Sequence, residues 1–405
     1  MISVEEARSR ILADLAPTPA EQVTLSEALG RVLAEDLAAR RTQPPQNVSA
    51  MDGYAVRAAD VTTPGATLSV VAEIPAGMSY DTPLGDGECA RIFTGAPLPP
   101  GADSIIIQED SERSADGASV TFTEAATRGR WVRRAGLDFS EGEVLLTAGR
   151  RLTARDIGIA AAMNRPWLSV HRRPRVAILA TGDEIAMPGD PVGPNQIVSS
   201  NGPALAAAVR ADGGEPILLG VALDDRESLA RLAAGARGAD LLLTTGGASV
   251  GDHDLVAEVL GEQGLDIDFW RIAMRPGKPL MFGTLGDTPM IGLPGNPVST
   301  LVCYLVFVRA ALQQLAGDPA AERGPTTARA RLSAPLPEND RRQDYLRAVA
   351  TPDSSGVPAV LAFETQDSSM LSRLAAANCL ILRAPHAPAA SEGDLVEIIH
   401  FPPSF

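Results

Sequence analysis

The chain has 405 residues, and at roughly 100–200 residues per domain this length favours two to four domains. Its 35 basic and 50 acidic side chains give a net charge of −15. Because nucleic acids and anionic lipid surfaces are held by a positive field, this charge argues against both as main partners. It does not exclude a small anionic ligand, since one basic pocket can lie on an acidic body.

Cysteine and histidine usage argues against a disulfide framework and against a zinc site. Cys89, Cys303 and Cys379 lie far apart and form no CxxC pair, and the four histidines are scattered. The first residues carry early acids with helical spacing, unlike a secretory leader. The longest apolar stretch, around Leu301–Val308, is too short to span a bilayer and predicts a buried helix. We therefore expect a soluble, cytoplasmic protein.

The first part of the chain predicts a helix followed by a small β-domain. Ser3 followed by Glu6 fits a capping box, and apolar residues follow with helical spacing. After Pro44-Pro45, short β-prone runs alternate with Gly- and Pro-rich turns, and residues 153–163 return to helical spacing. The β-prone runs are Thr67–Ala72, Cys89–Phe93, Ser104–Gln108 and Ser119–Phe122.

From Arg175 onward strands alternate with helices, which predicts a doubly wound parallel α/β sheet. A long apolar helix is expected over Asn296–Ala316. After Gly317, Pro-rich spacers separate brief β-prone segments, which indicates a C-terminal β-domain. The predicted strands contain RVAILATG, PILLGVAL, DLLLTTGG and PMIGLPG, and the helices between them lie near Gly202–Ala211, Arg226–Ala236 and Asp254–Leu260.

Two of these strands end in segments suited to ligand binding. TTGGASVGDHD places Gly246, Gly247 and Ser249 after a buried strand, where glycines let backbone N–H groups approach an anion. TGDEI ends another strand, and its Glu184 could converge with Asp254 on a hard divalent cation. The alternative is a pair of ordinary strand-to-helix turns, in which Asp254 and Glu184 cap the following helices.

Two further segments are suited to binding phosphate or an oxyanion. RIAMRPGKP puts Arg271, Arg275 and Lys278 close together around a Pro-Gly turn, for which the alternative is a solvated hairpin tip. GLPGNPVS begins the long helix, whose N-terminus would offer N–H groups and a positive dipole end, although a structural turn explains it equally well. The other residues of these two turns are Pro276, Gly277, Pro294, Gly295, Asn296 and Pro297.

Seven motifs, most of them uninformative alone, occur in one order over almost the whole chain and closely resemble the molybdopterin molybdenumtransferases, the bacterial relatives of the gephyrin E domain. They are SAMDGYAV, RIFTGAPLPPGAD, TGDEI, TTGGASVGDHD, RPGKP, GLPGNPVS and RQD. The resemblance implies an enzyme that takes adenylylated molybdopterin and molybdate. With Mg²⁺ as the divalent cation, it would hydrolyse the adenylate and release AMP together with the molybdenum cofactor.

The resemblance also implies four domains and a homodimer. An elongated helical domain, residues 1–43 and 147–172, would be interrupted by an inserted β-domain at 44–146. A molybdopterin-binding α/β domain at 173–322 and a β-barrel-like domain at 323–405 would follow. The family's active site lies between the α/β domain of one subunit and the inserted domain of the other. Implied partners are the upstream adenylyltransferase and recipient molybdoenzymes.

Individual residues take roles from the same resemblance. Arg342 and Ser368 match the family's molybdate-capturing pair, with Ser369 as an alternative match for the serine. Glu184 and Asp254 would hold the Mg²⁺. The positions that match the family's catalytic acidic and hydroxyl residues are Asp52, Thr94, Asp138, Asp224 and Asp254.

The chain departs from the family at two cations. Members often carry lysine where this chain has Arg271 and Arg275, whereas Lys278 is kept. A guanidinium binds phosphate as a two-pronged fork and an ammonium as a point charge. The individual roles of the two arginines therefore stay open.

Three other functions compete with this interpretation. Molybdopterin adenylylation would resemble only residues 175–317, and the additional domains and the RQD motif argue against it. The others are a non-catalytic scaffold that binds a partner protein, as the gephyrin E domain does, and a regulatory nucleotide-binding protein. Molybdate-dependent release of AMP discriminates between the enzyme and both of these.

Overall fold

The computed structural model describes residues 1–246, 255–353, 356–402 and Phe405. Gly247, Ser249 and Asp254 therefore lie outside the described residues. The helices are Val4–Ala13, Ala154–Ala162, Asn201–Ala211, Arg226–Ala233, Leu255–Glu262, Pro297–Cys303, Arg309–Leu315 and Leu371–Ala376, with 3₁₀ turns at Leu25–Glu27, Ala58–Asp60, Gln108–Asp110, Ala234–Ala236 and Pro319–Arg323.

Segments on either side of residues 44–146 fold together near the N-terminus. Strand Ala20–Thr24 pairs antiparallel with Trp167–His171, and Leu37–Ala38 pairs with Val144–Leu146. Apolar side chains from both segments share one core, and helix Ala154–Ala162 packs on it. The pairing joins residues more than 100 positions apart, so this part of the chain is discontinuous in sequence.

The first helix packs elsewhere. Its N-cap Ser3 Oγ accepts the Glu6 N–H at 3.0 Å, as the sequence predicted. Its buried residues Val4, Ala7 and Ile11 belong to the core of the α/β body. This differs from the predicted division, which assigned residues 1–43 to the elongated domain. The reason is that the apolar stripe of an amphipathic helix is stabilised by the largest apolar surface within reach.

Residues 53–122 form a mixed sheet, here called the inserted sheet. A short strand pair, Val48–Ser49 with Val132–Arg133, lies beside it. The strands of the inserted sheet cover the β-prone runs predicted from the sequence and the short strand predicted at YAV, Tyr54–Val56. They add Ser111–Arg113, which was not predicted. In order across the sheet they are Ser104–Ile107, Gly53–Val56, Glu88–Ile92, Thr67–Ile74, Ser119–Phe122 and Ser111–Arg113.

The central sheet of the α/β body corrects the prediction of a parallel sheet. Strand Met281–Leu285 runs antiparallel to both of its neighbours, so the sheet is mixed. The cause is the tight hairpin at Gly286-Asp287, because a two-residue loop can join only antiparallel strands. In order the strands are Glu215–Ala222, Arg175–Thr181, Leu241–Thr245, Thr288–Leu293, Met281–Leu285 and Leu265–Trp270.

A buried helical rod from Pro297 to Leu315 packs against this sheet, with one π-helical turn at Tyr304–Val308. Among the described residues it is the one helix long and apolar enough to cross a membrane. However, 78% of its most apolar window is buried inside the fold, as in the core helix of a soluble protein. The predicted buried helix is therefore observed.

The C-terminal strands close into a barrel. Strand Gln343–Thr351 pairs both with Ala359–Ala362 and with Cys379–Arg383, which closes the ring. A short strand of the α/β body, Met274–Arg275, pairs in parallel with the start of Gln343–Thr351 and ties the two bodies together. In order around the ring the strands are Gln343–Thr351, Ala359–Ala362, Thr327–Leu332, Leu395–His400 and Cys379–Arg383.

Candidate active site

A cleft of about 930 Å³ lies between the carboxyl ends of central-sheet strands and the edge of the barrel. In an open α/β sheet ligands bind at these strand ends. Twelve of the predicted site residues line it. They are Glu184, Gly246, Arg275, Pro276, Gly277, Lys278, Pro294, Gly295, Asn296, Pro297, Arg342 and Ser368.

Close backbone packing shapes the sheet side of the cleft. Gly246 has a φ of +88°, and a Cβ there would lie 2.4 Å from the carbonyl oxygen of Thr181. Only glycine fits this position without displacing the neighbouring strand end. The glycine predicted from the sequence is therefore required by geometry as well as suited to an anion.

The Pro-Gly turn carries Lys278, the unpaired cation among the described residues that line the cleft. Lys278 is exposed, lines the cleft and, among the described residues, has neither a hydrogen bond nor an ion pair from its ammonium group. The preceding Gly277 has a φ of +115°, and a Cβ on it would lie 2.6 Å from Sγ of Cys303. The turn is thus packed on the buried helix, which leaves the Lys278 ammonium available to an anion.

Arg275 is engaged by a carboxylate of the barrel. Its Nε donates to Oδ1 and Oδ2 of Asp344 at 2.9 and 3.0 Å, and its Nη2 also donates to Oδ2 of Asp344. Oδ2 of Asp340 lies 3.5 Å from Nη1 of Arg275. Asp344 is only 3% exposed, and its burial raises the pKa of this carboxyl, while Arg275 opposes the shift. The guanidinium therefore neutralises a buried charge, which leaves it less free to bind the phosphate assigned to it from the sequence.

Arg342 is also paired, but with a carboxylate, Asp340, that is far more exposed than Asp344. Its Nη2 donates to Oδ2 of Asp340 at 2.8 Å. Hydrogen bonds from Arg342 lower the pKa of Asp340 to about 2, so this carboxylate stays ionised. An oxyanion at Arg342 would therefore share the guanidinium with Asp340.

The two serines considered for the molybdate site differ in their hydrogen bonds. Ser369 Oγ donates to Oδ1 of Asp367 at 2.6 Å. Ser368 Oγ instead accepts from Nδ2 of Asn296 at 2.9 Å, so its own hydrogen remains available to a ligand. The geometry favours Ser368 as the donor to an anion.

Carboxylates gather near the end of strand Arg175–Thr181. The Asp224 N–H donates to Oδ1 of Asp183 at 2.9 Å. Burial, followed by the charges of Asp183 and Glu184, raises the pKa of Asp224. Within the described residues no group of three or more His, Cys, Asp or Glu side chains is close enough to hold a metal. Mg²⁺ commonly takes one or two carboxylates plus substrate phosphates, and Glu184 in the cleft fits that donor set.

Five of the described residues predicted from the sequence do not line the cleft: Asp224, whose surroundings are given above, and Asp52, Thr94, Asp138 and Arg271. Asp52 accepts from the Thr94 N–H at 2.8 Å and from its hydroxyl at 2.7 Å, and these hydrogen bonds lower the pKa of Asp52. Asp138 lines a separate crevice of about 660 Å³ that also includes Arg41 and Arg133. Arg271 has a φ of +87° and does not line the cleft. In a single chain, then, the inserted sheet and the cleft do not form one site.

Several cleft residues were not identified from the sequence. Oγ1 of Thr181 and Oδ1 of Asn201 are buried without a hydrogen-bond partner, although Nδ2 of Asn201 donates to the Gly295 carbonyl at 2.7 Å. Unpartnered buried acceptors and donors are costly unless a ligand satisfies them. Ser299 and Gln366 line the cleft as well. The polar ending of a buried strand was the available signal for Thr181.

Family models match three consecutive parts of the chain. The MoeA N-terminal region (domains I and II) matches residues 2–164, a probable molybdopterin binding domain matches 177–314, and the MoeA C-terminal region (domain IV) matches 329–401. Together they cover almost the whole chain. The class defined by fold and site is therefore a multidomain α/β protein with a cleft between the strand ends of its central sheet and a C-terminal barrel.

Relatives and solved structures agree with these models. A molybdopterin molybdenumtransferase from Haemophilus influenzae is 33% identical over 403 residues and covers 99% of each chain, and one from Nostoc sp. is 40% identical over 80% of this chain and 76% of its own. A crystal structure of the MoeA protein from Pyrococcus horikoshii superimposes with a TM-score of 0.86 at 31% identity, with 99% of each chain covered. The chain belongs to the MoeA family. This confirms the predicted family and, at the level of the general role, a transferase of molybdenum cofactor biosynthesis.

Proposed function

We propose that this chain inserts molybdate into adenylylated molybdopterin and releases AMP and the molybdenum cofactor, with the chemistry taking place in the cleft. The observation that carries the proposal is the convergence, in one cavity, of a free ammonium, glycine-rich backbone turns and the Arg342–Ser368 pair. Cleavage of a phosphoanhydride requires cations on the phosphate oxygens and an oriented nucleophile. Molybdate is itself an oxyanion and suits charge-assisted donors.

Lys278 is assigned to the phosphates of the adenylate. Its ammonium has no partner among the described residues, whereas Arg275 neutralises Asp344. The helix that begins at Pro297 adds a positive dipole end to the cleft, although its Val298 N–H is already donated to the Ser368 carbonyl. Gly246 and Gly295 allow close approach of the ligand to the backbone.

Glu184 would hold Mg²⁺ together with oxygens of the substrate, and Asp254, outside the described residues, is the second ligand proposed for it. The ion would neutralise charge on the phosphate oxygens. Burial raises the pKa of Asp224, and the charges of Asp183 and Glu184 add to that shift. A divalent cation held by Glu184 would offset the negative charge of this group. Asp224 is proposed to orient the attacking oxygen.

A homodimer with shared active sites completes the proposal, in which Asp52, Thr94 and Asp138 of one subunit act on the cleft of the other. It is supported by the absence of these three residues from the cleft of their own chain. Exposed apolar side chains on the edge of the α/β body would be buried by a second copy. They are Ile217 and Leu218 on the edge strand Glu215–Ala222, and Leu223 directly after it.

The test is incubation with adenylylated molybdopterin, Mg²⁺ and molybdate, followed by quantification of AMP and active cofactor. We expect stoichiometric AMP and cofactor that both require molybdate and Mg²⁺, and we expect Lys278→Ala to raise the substrate KM. ATP replacing the adenylylated substrate should yield no product. Product formed from ATP and molybdopterin would instead indicate the adenylyltransferase, and AMP release that is insensitive to molybdate would contradict insertion.

A further inference from the structure

A buried arginine lies behind the segment that carries Ser368. Arg347, in barrel strand Gln343–Thr351, is 1% exposed. Its guanidinium donates to Oε1 of Gln366 at 3.2 Å, to the Met370 carbonyl at 3.1 Å and to the Thr365 carbonyl at 3.4 Å. These acceptors are all neutral. The charge of Asp367, in the same part of the chain, favours the charged form of Arg347 without a hydrogen bond to it among the described residues. A buried cation that is hydrogen-bonded only to neutral groups recovers less free energy than one in a contact ion pair, so stability alone is a weak reason for this residue.

The acceptors of Arg347 bracket one short segment, residues 365–370. The Thr365 and Met370 carbonyls are its two ends, and Gln366 lies near its start. Because one rigid, planar guanidinium contacts both ends, it fixes the distance between them. Ser368 lies between these ends without contacting Arg347 in the described hydrogen bonds.

Gln366 adds a second set of contacts. Its Oε1 accepts the Arg347 N–H at 3.0 Å, and its Nε2 donates to the carbonyls of Arg347 at 3.0 Å and Phe363 at 2.9 Å. The side-chain amide of Gln366 is thereby hydrogen-bonded to both the backbone N–H and the backbone carbonyl of Arg347, as a residue of a neighbouring strand would be. The segment is attached to the barrel by side chains because it has no strand ladder of its own.

The opposite side of Ser368 is held by the start of the buried helix. Asn296 Nδ2 donates to Ser368 Oγ at 2.9 Å, and the Val298 N–H donates to the Ser368 carbonyl at 3.1 Å. Ser368 is therefore fixed between the barrel and the α/β body, on the cleft that Arg342 also lines.

We propose that Arg347 and Gln366 are positioning residues for oxyanion capture, which hold segment 365–370 so that the Ser368 hydroxyl and the Arg342 guanidinium face one anion. This inference rests on the proposed function, in which that anion is molybdate. Neither residue is assigned a catalytic role. If the segment is released, Ser368 occupies its binding position for only part of the time, and the apparent affinity for the anion falls by that fraction.

The same strand offers a matched control. Asn378 also pairs its side-chain amide with both backbone groups of a residue in strand Gln343–Thr351: Oδ1 accepts the Ala350 N–H at 2.7 Å, and Nδ2 donates to the Ala350 carbonyl at 2.8 Å. Asn378 does not line the cleft. Asn378→Ala therefore removes the same kind of strand contact as Gln366→Ala without releasing a cleft residue.

The experiment measures binding of molybdate and of adenylylated molybdopterin, separately, to the full-length wild type and to Gln366→Ala, Asn378→Ala and Ser368→Ala. We expect Gln366→Ala to weaken molybdate binding about tenfold, as for a segment correctly placed about one tenth of the time. Adenylylated molybdopterin should bind as tightly as to the wild type, and Asn378→Ala should change neither affinity. Faster amide hydrogen exchange over residues 363–370 should accompany the loss only in Gln366→Ala.

If Gln366→Ala and Asn378→Ala bind molybdate with equal affinity while Ser368→Ala binds it more weakly, the positioning role of Arg347 and Gln366 is overturned. The proposed molybdate site would stand in that case. An unchanged Ser368→Ala would instead refute the proposed molybdate site, and the inference with it. If Gln366→Ala does not fold, Arg347→Lys tests the same attachment, because an ammonium keeps the charge but not the fixed spacing between the two carbonyls. Arg347→Lys should show the same tenfold loss, and wild-type molybdate affinity in it would contradict the proposal.

Discussion

Three basic side chains line the cleft, and their neighbours give them different roles. Arg275 neutralises the buried carboxylate of Asp344, Arg342 shares its charge with the exposed Asp340, and Lys278 has no partner among the described residues. A cation that is already paired gives up part of its interaction before it can bind a ligand. Lys278 is therefore the best available phosphate ligand, and Arg342 suits an anion that can compete with a surface carboxylate.

The Arg275–Asp344 pair predicts a pH-dependent stability defect. Arg275→Ala should lower the free energy of unfolding at neutral pH by about 3 kcal/mol, because it leaves the buried Asp344 carboxylate unpaired. Burial already raises the pKa of Asp344, and loss of Arg275 raises it further. A raised folded-state pKa means that the defect is largest at neutral pH and shrinks as the pH falls through that pKa. Denaturant melts of wild type and variant at several pH values measure this.

A conservative control separates charge from geometry at this position. Arg275→Lys keeps the positive charge and should recover part of the lost stability at neutral pH. A defect in Arg275→Ala that is constant with pH would show that Asp344 is not the group involved.

Substitutions of Arg342 and of Asp340 should have opposite effects on the affinity for molybdate. Arg342→Ala should weaken molybdate binding about ten- to a hundredfold, since a charge-assisted contact is worth about 1.5–3 kcal/mol. Asp340→Asn removes the competing carboxylate and should tighten molybdate binding a few-fold. Equilibrium dialysis with molybdate measures both affinities, and binding of the adenylylated pterin serves as the control that neither change should alter. Weakened molybdate binding in Asp340→Asn would place Asp340 on the ligand itself.

The pKa of Asp340 determines how its competition with molybdate for the Arg342 guanidinium depends on pH. Because its pKa is lowered from 3.8 to about 2, the carboxylate is charged at every pH above that value. The Asp340 carboxylate stabilises the fold fully above pH 3.8, the ordinary pKa of the group. This stabilisation is lost only as the pH falls towards its lowered pKa of about 2. Competition with molybdate at Arg342 should therefore not vary with pH in the neutral range.

At the scale of elements, strand Gln343–Thr351 organises the cleft. Its first residues pair with Met274–Arg275, which precede the Pro-Gly turn, and its middle residue Arg347 holds the segment that carries Ser368. Its pairing with Cys379–Arg383 closes the barrel. The turn that carries Lys278 and the segment that carries Ser368 thus depend on one strand, so their spacing is set by its register.

Alanine substitutions at two glycines of the cleft, Gly246 and Gly295, should differ in their effect on stability. Gly246→Ala should lower the free energy of unfolding by more than ~1 kcal/mol, because φ is positive and the new Cβ would lie 2.4 Å from a backbone carbonyl. At Gly295 the nearest heavy atom to a Cβ is 3.6 Å away, and Gly295→Ala should change stability by no more than about 0.5 kcal/mol. Thermal melts of the two variants test this, and equal melting temperatures would refute the packing argument.

At the scale of the whole molecule, the predicted site residues occupy two bodies that one chain does not bring together. Twelve of them line the cleft, while Asp52 and Thr94 lie on the inserted sheet and bind each other. Apolar residues at the edge of the α/β body remain exposed. A second copy of the chain would account for both observations, because it would bury this edge and could supply the distant residues.

Subunit mixing tests this arrangement. At a substrate concentration well below the raised KM of Lys278→Ala, Asp52→Ala and Lys278→Ala should each show little activity alone. Random mixing of the two should restore about a quarter of the wild-type sites, since half of the dimers are mixed and each holds one intact site. Sedimentation should show a dimer at micromolar concentration. Recovery of no activity from mixed dimers, or full activity from a monomer, would contradict the shared site.

The sequence alone was sufficient for the elements with strong local signals. The Ser3 cap, the alternating strands and helices after Arg175 and the long apolar helix are all observed, since periodicity and capping act within one or two turns. Motif order was sufficient for the family. The Gly286-Asp287 hairpin was also visible in the sequence, and overlooking it led to the wrong prediction of a fully parallel sheet.

Only the tertiary structure decided which charges remain free and which body each segment joins. Arg275 and Lys278 lie in one turn, yet Asp344, 69 positions from Arg275, pairs with the arginine, whereas the lysine has no partner among the described residues. The first helix joins the α/β core through contacts with residues some 300 positions away. Pairing and burial depend on groups that are brought together from distant parts of the chain, whereas periodicity and capping are properties of neighbours.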